Sequence, residues 1–193
     1  MKKILFYPGT FNPPHFGHVS AVEVSLNNIN FDEIWIMPSG KRVDKLIPTN
    51  YEDRRNLTNL FIEHLQTLTK IPIKLIDSEL KDNEGKYTHE LIMELKSQSK
   101  DDIYQLVGID GFLGIKEREI GQDEKFIIIN RSGYESVNEV TPSSNLTFLE
   151  EGVGGISSTK IREMVKVGNQ DYKKLLPKEI SEYINANNMY IKN

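Results

Sequence analysis

A Rossmann-like, doubly wound α/β fold, with a mostly parallel sheet and flanking helices, is what this chain predicts. Three observations carry that expectation. Short apolar runs rich in Ile, Val and Phe alternate with stretches of helical periodicity, as successive βαβ units do. The first run empties into a Gly-rich turn that leads straight into a helix pattern. Finally, the 193 residues contain no internal repeat, low-complexity tract or Pro/Gly/Ser linker, so residues 1–193 should form a single domain around one core.

Strands are expected at Ile4–Tyr7, Glu33–Met37, Ile71–Ile76, Ile103–Val107 and Lys125–Ile129, with a weaker candidate at Leu146–Leu149. Between the first two, Val19, Val22 and Leu26 recur at three- and four-residue spacing, a core-facing helical stripe. Thr49 or Asn50 should cap the next helix, which turns Leu57, Leu60, Phe61, Leu65 and Leu68 to one side. Another helix is expected from about Thr88 to Ser97, with Leu91, Ile92 and Leu95 as its apolar side. The polar stretch from Tyr134 to Ser144 suits a surface loop. Ser157 or Ser158 caps a later helix that buries Ile161, Met164 and Val165 and stops at Gly168. Pro177 opens the last helix, where its missing N–H is not needed, and Ile180, Tyr183 and Ile184 pack it back. The sole tryptophan, Trp35, falls in the second strand and suits the core.

Composition narrows the function classes. A formal charge of −4, from 24 Lys+Arg against 28 Asp+Glu, argues against a broad nucleic-acid or anionic-membrane face. The absence of cysteine excludes disulfides, thiolate metal sites and a Cys nucleophile. The apolar run before Pro8 is too short for a signal peptide, and no stretch approaches the ~20 apolar residues needed to span a bilayer. A cytoplasmic location is therefore expected, and a homo-oligomer is compatible with the composition.

The first chemical feature is Gly9-Thr10-Phe11-Asn12-Pro13-Pro14-His15-Phe16-Gly17-His18. In a parallel sheet this strand-to-helix turn lies at the carboxyl edge, where ligands bind. Gly9 allows close backbone approach to a ligand, and the N–H groups of Thr10 and Phe11 are candidate anion donors. His15 and His18 are three residues apart at a helix start, so they can point the same way towards a polyphosphate favoured by the helix N-terminus. Imidazoles donate to phosphate oxygens, and bound anions favour their charged form. A zinc pair would need a third ligand that no spacing supplies. The plain alternative is two surface histidines beside a turn.

The second feature is Gly154-Gly155-Ile156-Ser157-Ser158-Thr159-Lys160-Ile161-Arg162. N–H groups, hydroxyls and an Arg at one helix start make a second phosphate cradle. Taken alone, the same residues also describe a well-capped helix.

Together the two strings resemble the signatures of the nucleotidylyltransferase superfamily with the His-x-Gly-His motif, the group containing nicotinate-nucleotide adenylyltransferase. The resemblance implies that His15 and His18 hold the triphosphate while the Gly9–Gly17 turn receives substrate phosphates. It also implies that Ser158, Thr159 and Arg162 bind the ATP phosphates, with Arg162 countering charge on the leaving pyrophosphate. Pro8 stands where the family often has a second Gly, and Asn12 where it often has Asp, so no carboxylate acts at that position.

Weaker similarities run through nearly the whole chain. Lys86-Tyr87-Thr88 resembles a Ser-Tyr-Thr that reads the pyridine base, though Tyr87 and Thr88 also suit packing and capping. Leu106-Val107-Gly108-Ile109-Asp110 resembles a Gly-x-Asp strand end whose Asp, here Asp110, contacts the nucleotide. A carboxylate at that strand end suits function better than packing, because an unpaired buried carboxylate is costly. Asn130-Arg131-Ser132-Gly133-Tyr134 resembles an Asn-Arg-x-Gly, which brings Arg131 towards the acceptor, and Leu176-Pro177 through Met189-Tyr190 follow the family's closing helix. The family places a phosphate-seeking Lys after the second strand. Here Lys41 and Lys45 both qualify, and the usual Pro-Pro-His-Lys is missing. No Trp lies between Phe112 and Glu119 to stack on the pyridine ring, and His89-Glu90 replace the usual Asp-Thr.

The implied reaction moves AMP from ATP to a small phosphorylated acceptor, a pyridine mononucleotide, with Mg2+ carried by the ATP and no protein metal ligands. Phosphopantetheine or glycerol phosphate as acceptor, or a nucleotide-binding sensor without transfer, are the competing expectations. A nicotinamide-dependent dehydrogenase is disfavoured, because the first turn lacks Gly-x-Gly-x-x-Gly.

Overall fold

The computed structural model describes residues 1–40, 49–77, 92–95, 100–116, 123–130, 144–150 and 155–191. Strands β1 (Lys3–Gly9), β2 (Glu33–Pro38), β3 (Ile73–Leu75), β4 (Asp102–Gly108), β5 (Lys125–Asn130) and β6 (Leu146–Glu150) form one sheet. Their order is β3-β2-β1-β4-β5-β6, with every pairing parallel. All six expected strands are present, and the fold is the Rossmann-like α/β arrangement the sequence predicts. β3 starts later than expected, because Pro72 has no N–H to give the ladder and contributes only its carbonyl, 2.9 Å from the Ile34 nitrogen.

The helices are α1 (Phe16–Asn28), α2 (Tyr51–Leu68), α3 (Ile109–Lys116), α4 (Ser158–Lys166) and α5 (Lys178–Ala186), with a 3₁₀ turn at Gln170–Leu175. Alternate strand residues feed two faces, as a sheet covered on both sides requires. Leu5, Ile34, Ile36, Leu106, Ile127 and Ile129 pack with the buried residues of α1, α2, α4 and α5. On the other face, Ile4, Phe6, Met37 and Ile103 meet Ile92, while Phe126 and Ile128 meet Ile109 and Phe112 of α3. Residues 92–95 are helical, within the helix expected from Thr88 to Ser97; the rest of that stretch, and residues 134–143 of the loop expected from Tyr134 to Ser144, lie outside the described residues.

Local signals set several helix ends. Asn50 caps α2 by accepting from the Asp53 N–H at 2.8 Å, and Ser157 caps α4 by accepting from Lys160 at 3.2 Å. Gly168, at φ +74°, ends α4, with Gly168 N–H bonded to the Val165 carbonyl and Asn169 N–H to that of Met164. Two expectations need correction. Leu68 is 48% exposed, because it ends α2 beyond the packed stripe. Trp35 is only half-buried; its ring packs on the Ile4–Phe6 side while Nε1 donates to Glu33 at 2.9 Å. No helix among the described residues is long and apolar enough to cross a membrane.

The topology creates a crevice. β1 and β4 stay in register only as far as Phe6 opposite Gln105, whereas β1–β2 pairing continues to Gly9 opposite Pro38 and β4–β5 pairing to Gly108 opposite Ile129. The carboxyl ends of β1 and β4 therefore separate at the point where the strand order reverses, the place where open α/β sheets bind ligands.

Candidate active site

The turn leaving β1 is built around one aromatic ring. Phe11, at φ +46° and 1% exposed, folds back so that a Cβ on Gly9 would stand 2.8 Å from its Cζ. Gly9 is thus required by its own neighbour's ring, where the sequence suggested close approach of a ligand. The ring also meets Tyr7, His18 and Phe61 at centroid distances of 5.2, 5.1 and 5.4 Å. The N–H groups of Thr10 and Phe11 have no hydrogen-bond partner among the described residues, so they keep the donor capacity expected of them.

His15 and His18 form a capping box in which imidazoles replace the usual hydroxyl and carboxylate. His15 Nδ1 accepts from the Gly17 N–H at 3.1 Å, and His18 Nδ1 accepts from the His15 N–H at 3.1 Å. The ring centroids lie 3.8 Å apart with the planes tilted by 34°. Because both Nδ1 atoms accept, each ring proton sits on Nε2. His15 is 2% exposed, which overturns the alternative of two surface histidines. Gly17, which the resemblance places in the phosphate-receiving turn, gives its N–H to His15.

The late turn docks on this one. Arg162 Nη1 donates to the Asn12 carbonyl at 2.7 Å, and Ser158 Oγ donates to the Pro13 carbonyl at 2.8 Å. Arg162 Nη2 donates to Thr159 Oγ1 at 3.2 Å, so among the described residues two of the guanidinium's five N–H donors are engaged. Contacts spanning 145 and 150 residues thus bring the imidazole pair and the guanidinium to one carboxyl-edge site. Ser157 is the cap, leaving Ser158 and Thr159 as the hydroxyls at the junction.

Asp110 sits in the first turn of α3, at the carboxyl end of β4, with its side chain exposed. It is not packed into the core, in keeping with the cost of burying an unpaired carboxylate. Lys41, Lys45, Tyr87, Thr88, Arg131 and Gly154 lie outside the described residues. Arg54 was missed by the sequence reasoning. It is 4% exposed, and its Nη2 donates to the Thr10 carbonyl at 3.1 Å and to the Ser39 carbonyl, joining the turns that follow β1 and β2. Its signal was present: Arg54, Leu57, Phe61 and Leu65 share one helical stripe, and an Arg on an apolar stripe needs buried acceptors. Among the described residues no three His, Asp or Glu side chains gather as a metal site.

Comparison with known proteins identifies the family. The cytidylyltransferase-like family model matches residues 6–164. The chain is 29% identical over 195 residues to the probable nicotinate-nucleotide adenylyltransferase of Fusobacterium nucleatum, covering 92% of this chain and 98% of that one. It is 29% identical over 197 residues to the nicotinate-nucleotide adenylyltransferase of Bacillus subtilis, covering 98% of this chain and 99% of that one. Among solved structures, Plasmodium falciparum nicotinic acid mononucleotide adenylyltransferase complexed with NaAD is similar at TM-score 0.79 and 25% identity, over 100% of this chain and 99% of that one. Since the family match begins within β1, ends within α4 and so takes in both docked turns, the chain belongs to the cytidylyltransferase-like family.

Proposed function

We propose that this protein transfers the adenylyl group of ATP to nicotinate mononucleotide or nicotinamide mononucleotide, releasing pyrophosphate and forming the dinucleotide of NAD biosynthesis. The observation that carries the proposal is the docking of the Ser158–Arg162 helix start on the Asn12–Pro13 carbonyls, in the turn that leads into the close-set His15–His18 pair. The names of the Fusobacterium and Bacillus relatives supply the acceptor.

In this reaction an oxygen of the acceptor's phosphate attacks the α-phosphorus of ATP in line. The bond from that phosphorus to the oxygen bridging to the β-phosphate breaks, and pyrophosphate leaves with that oxygen. No protein nucleophile is needed, because the protein's work is positioning and charge stabilisation. The Nε2–H groups of His15 and His18 donate to triphosphate oxygens, and the remaining guanidinium N–H groups of Arg162 offset charge growing on the pyrophosphate. The N–H groups of Thr10 and Phe11 and the hydroxyl of Thr159 complete the cradle, and Asp110 faces the nucleotide from the first turn of α3. Lys41 or Lys45 reaches phosphate, while Tyr87, Thr88 and Arg131 hold the acceptor. Imidazole, hydroxyl, guanidinium and amide groups suit phosphate oxygens, and Mg2+ would be carried by ATP, where it would neutralise phosphate charge.

Pyrophosphate release and dinucleotide formation, measured with MgATP and each pyridine mononucleotide, test the reaction. Release only with phosphopantetheine or glycerol phosphate would move the acceptor elsewhere in the superfamily. Binding of ATP without release for any acceptor would leave a sensor. His18→Ala should lower kcat by roughly 10²–10³, as loss of one preorganised donor does; near-normal turnover would remove His18 from the mechanism.

A further inference from the structure

The C-terminal tail reaches the site through a side chain that the proposed mechanism does not use. After α5 the chain turns back through Asn188 and Tyr190, both at positive φ, while Met189 is buried and its N–H bonds to the Ile184 carbonyl at 3.0 Å. Positive φ is unusual for a bulky residue such as Tyr and requires surroundings that hold it. The Tyr190 hydroxyl donates to Asn12 Oδ1 at 2.6 Å, across 178 residues of sequence. Thr49 Oγ1, at the entry to α2, donates to the same oxygen at 2.7 Å. Asn12 is 1% exposed, and two hydroxyl donors fill the acceptor capacity of its amide oxygen. The carbonyl of this same residue receives Arg162.

We propose that Tyr190 is a positioning residue of the ATP site: with Thr49 it holds Asn12, and through the Asn12 carbonyl it sets the guanidinium of Arg162 against the triphosphate. The inference rests on the assignment of Arg162 to ATP, and not on the identity of the acceptor. Three segments far apart in sequence meet at one residue, so that residue sets where the guanidinium points. Burial also pushes the Tyr190 hydroxyl above the ordinary phenol range, so it stays a donor at every working pH.

Tyr190→Phe removes the hydroxyl and keeps the ring that packs the tail. MgATP affinity by calorimetry should fall roughly five- to tenfold, the size of one buried neutral hydrogen bond, and KM for ATP should rise in step while KM for the pyridine mononucleotide stays unchanged. Asn12→Asp, whose carboxylate accepts from both hydroxyls, should keep the dependence on Tyr190. Asn12→Ala should abolish it, so that adding Tyr190→Phe in that background changes ATP affinity no further. Wild-type ATP affinity in Tyr190→Phe would overturn the proposal, as would equal weakening of both substrates or additive losses in the Asn12→Ala double variant. Calorimetry with MgATP needs no turnover, so an enzyme inactive with both pyridine mononucleotides would refute the acceptor assignment while this test still reads out.

Discussion

Replacing Gly9 with Ala probes the turn that positions the histidines. The new Cβ would stand 2.8, 3.0 and 3.1 Å from Cζ, Cε1 and Cε2 of Phe11. Carbon atoms prefer roughly 3.5–4.0 Å, so the ring must retreat by about 0.5–1 Å. It cannot do so freely, because it is 1% exposed and meets Tyr7, Phe61 and His18. Overpacking of this kind costs about 1–3 kcal/mol. In a chain of this size that corresponds to a Tm lower by roughly 2–12 °C. His18 lies on the path of the displaced ring, and misplacement by about 1 Å can cost on the order of 10²-fold in rate. Thermal denaturation followed by circular dichroism measures the first effect, and pyrophosphate release the second. Adding Phe11→Leu should recover part of the lost Tm by making room for the methyl. A Gly9→Ala protein with unchanged Tm and turnover would show that the Phe11 ring does not fix this turn.

Two further substitutions test other parts of the structure. Glu33, 6% exposed, receives Lys2, Lys74 and Trp35, and these hydrogen bonds lower its carboxyl pKa to about 2. Because the folded pKa lies below the unfolded one, its stabilisation is complete above about pH 4.5 and is lost as pH falls towards 2. With both lysine heads half-exposed, the contribution discounts to about 1–2 kcal/mol. Glu33→Gln should therefore lower unfolding stability at pH 7 and flatten its fall between pH 4.5 and 3, and identical pH slopes for the two proteins would discard the idea. Arg162→Lys keeps the charge but cannot reach both the Asn12 carbonyl and Thr159 Oγ1, so kcat/KM for ATP should fall roughly tenfold or more. Full activity in the Lys variant would mean that charge alone suffices.

Much of this protein is written locally. The six strands follow from short runs of β-branched residues, and the caps at Asn50 and Ser157 and the stop at Gly168 follow from residue types whose preferences act within one helical turn. The strings at Gly9–His18 and Ser157–Arg162 mark the two candidate phosphate turns through their joint resemblance to family signatures, since each alone also fits a plain structural role. Helix α3 escaped because Gly111 and Gly114 weaken its helical signal; it forms because Ile109 and Phe112 bury against Phe126 and Ile128 of a strand met later in the chain. Gly9 looked like a ligand contact because the return of Phe11 is a matter of backbone turn geometry that residue names do not convey. Arg54 sat in view on an apolar stripe, but its acceptors are carbonyls after two other strands. The meeting of Arg162 and Tyr190 at Asn12 joins residues 150 and 178 positions apart. Short-range preferences decide elements and their ends, whereas contacts between distant segments exist only once the sheet has set where each strand's carboxyl end lies, and those contacts join the early and late turns into one candidate site.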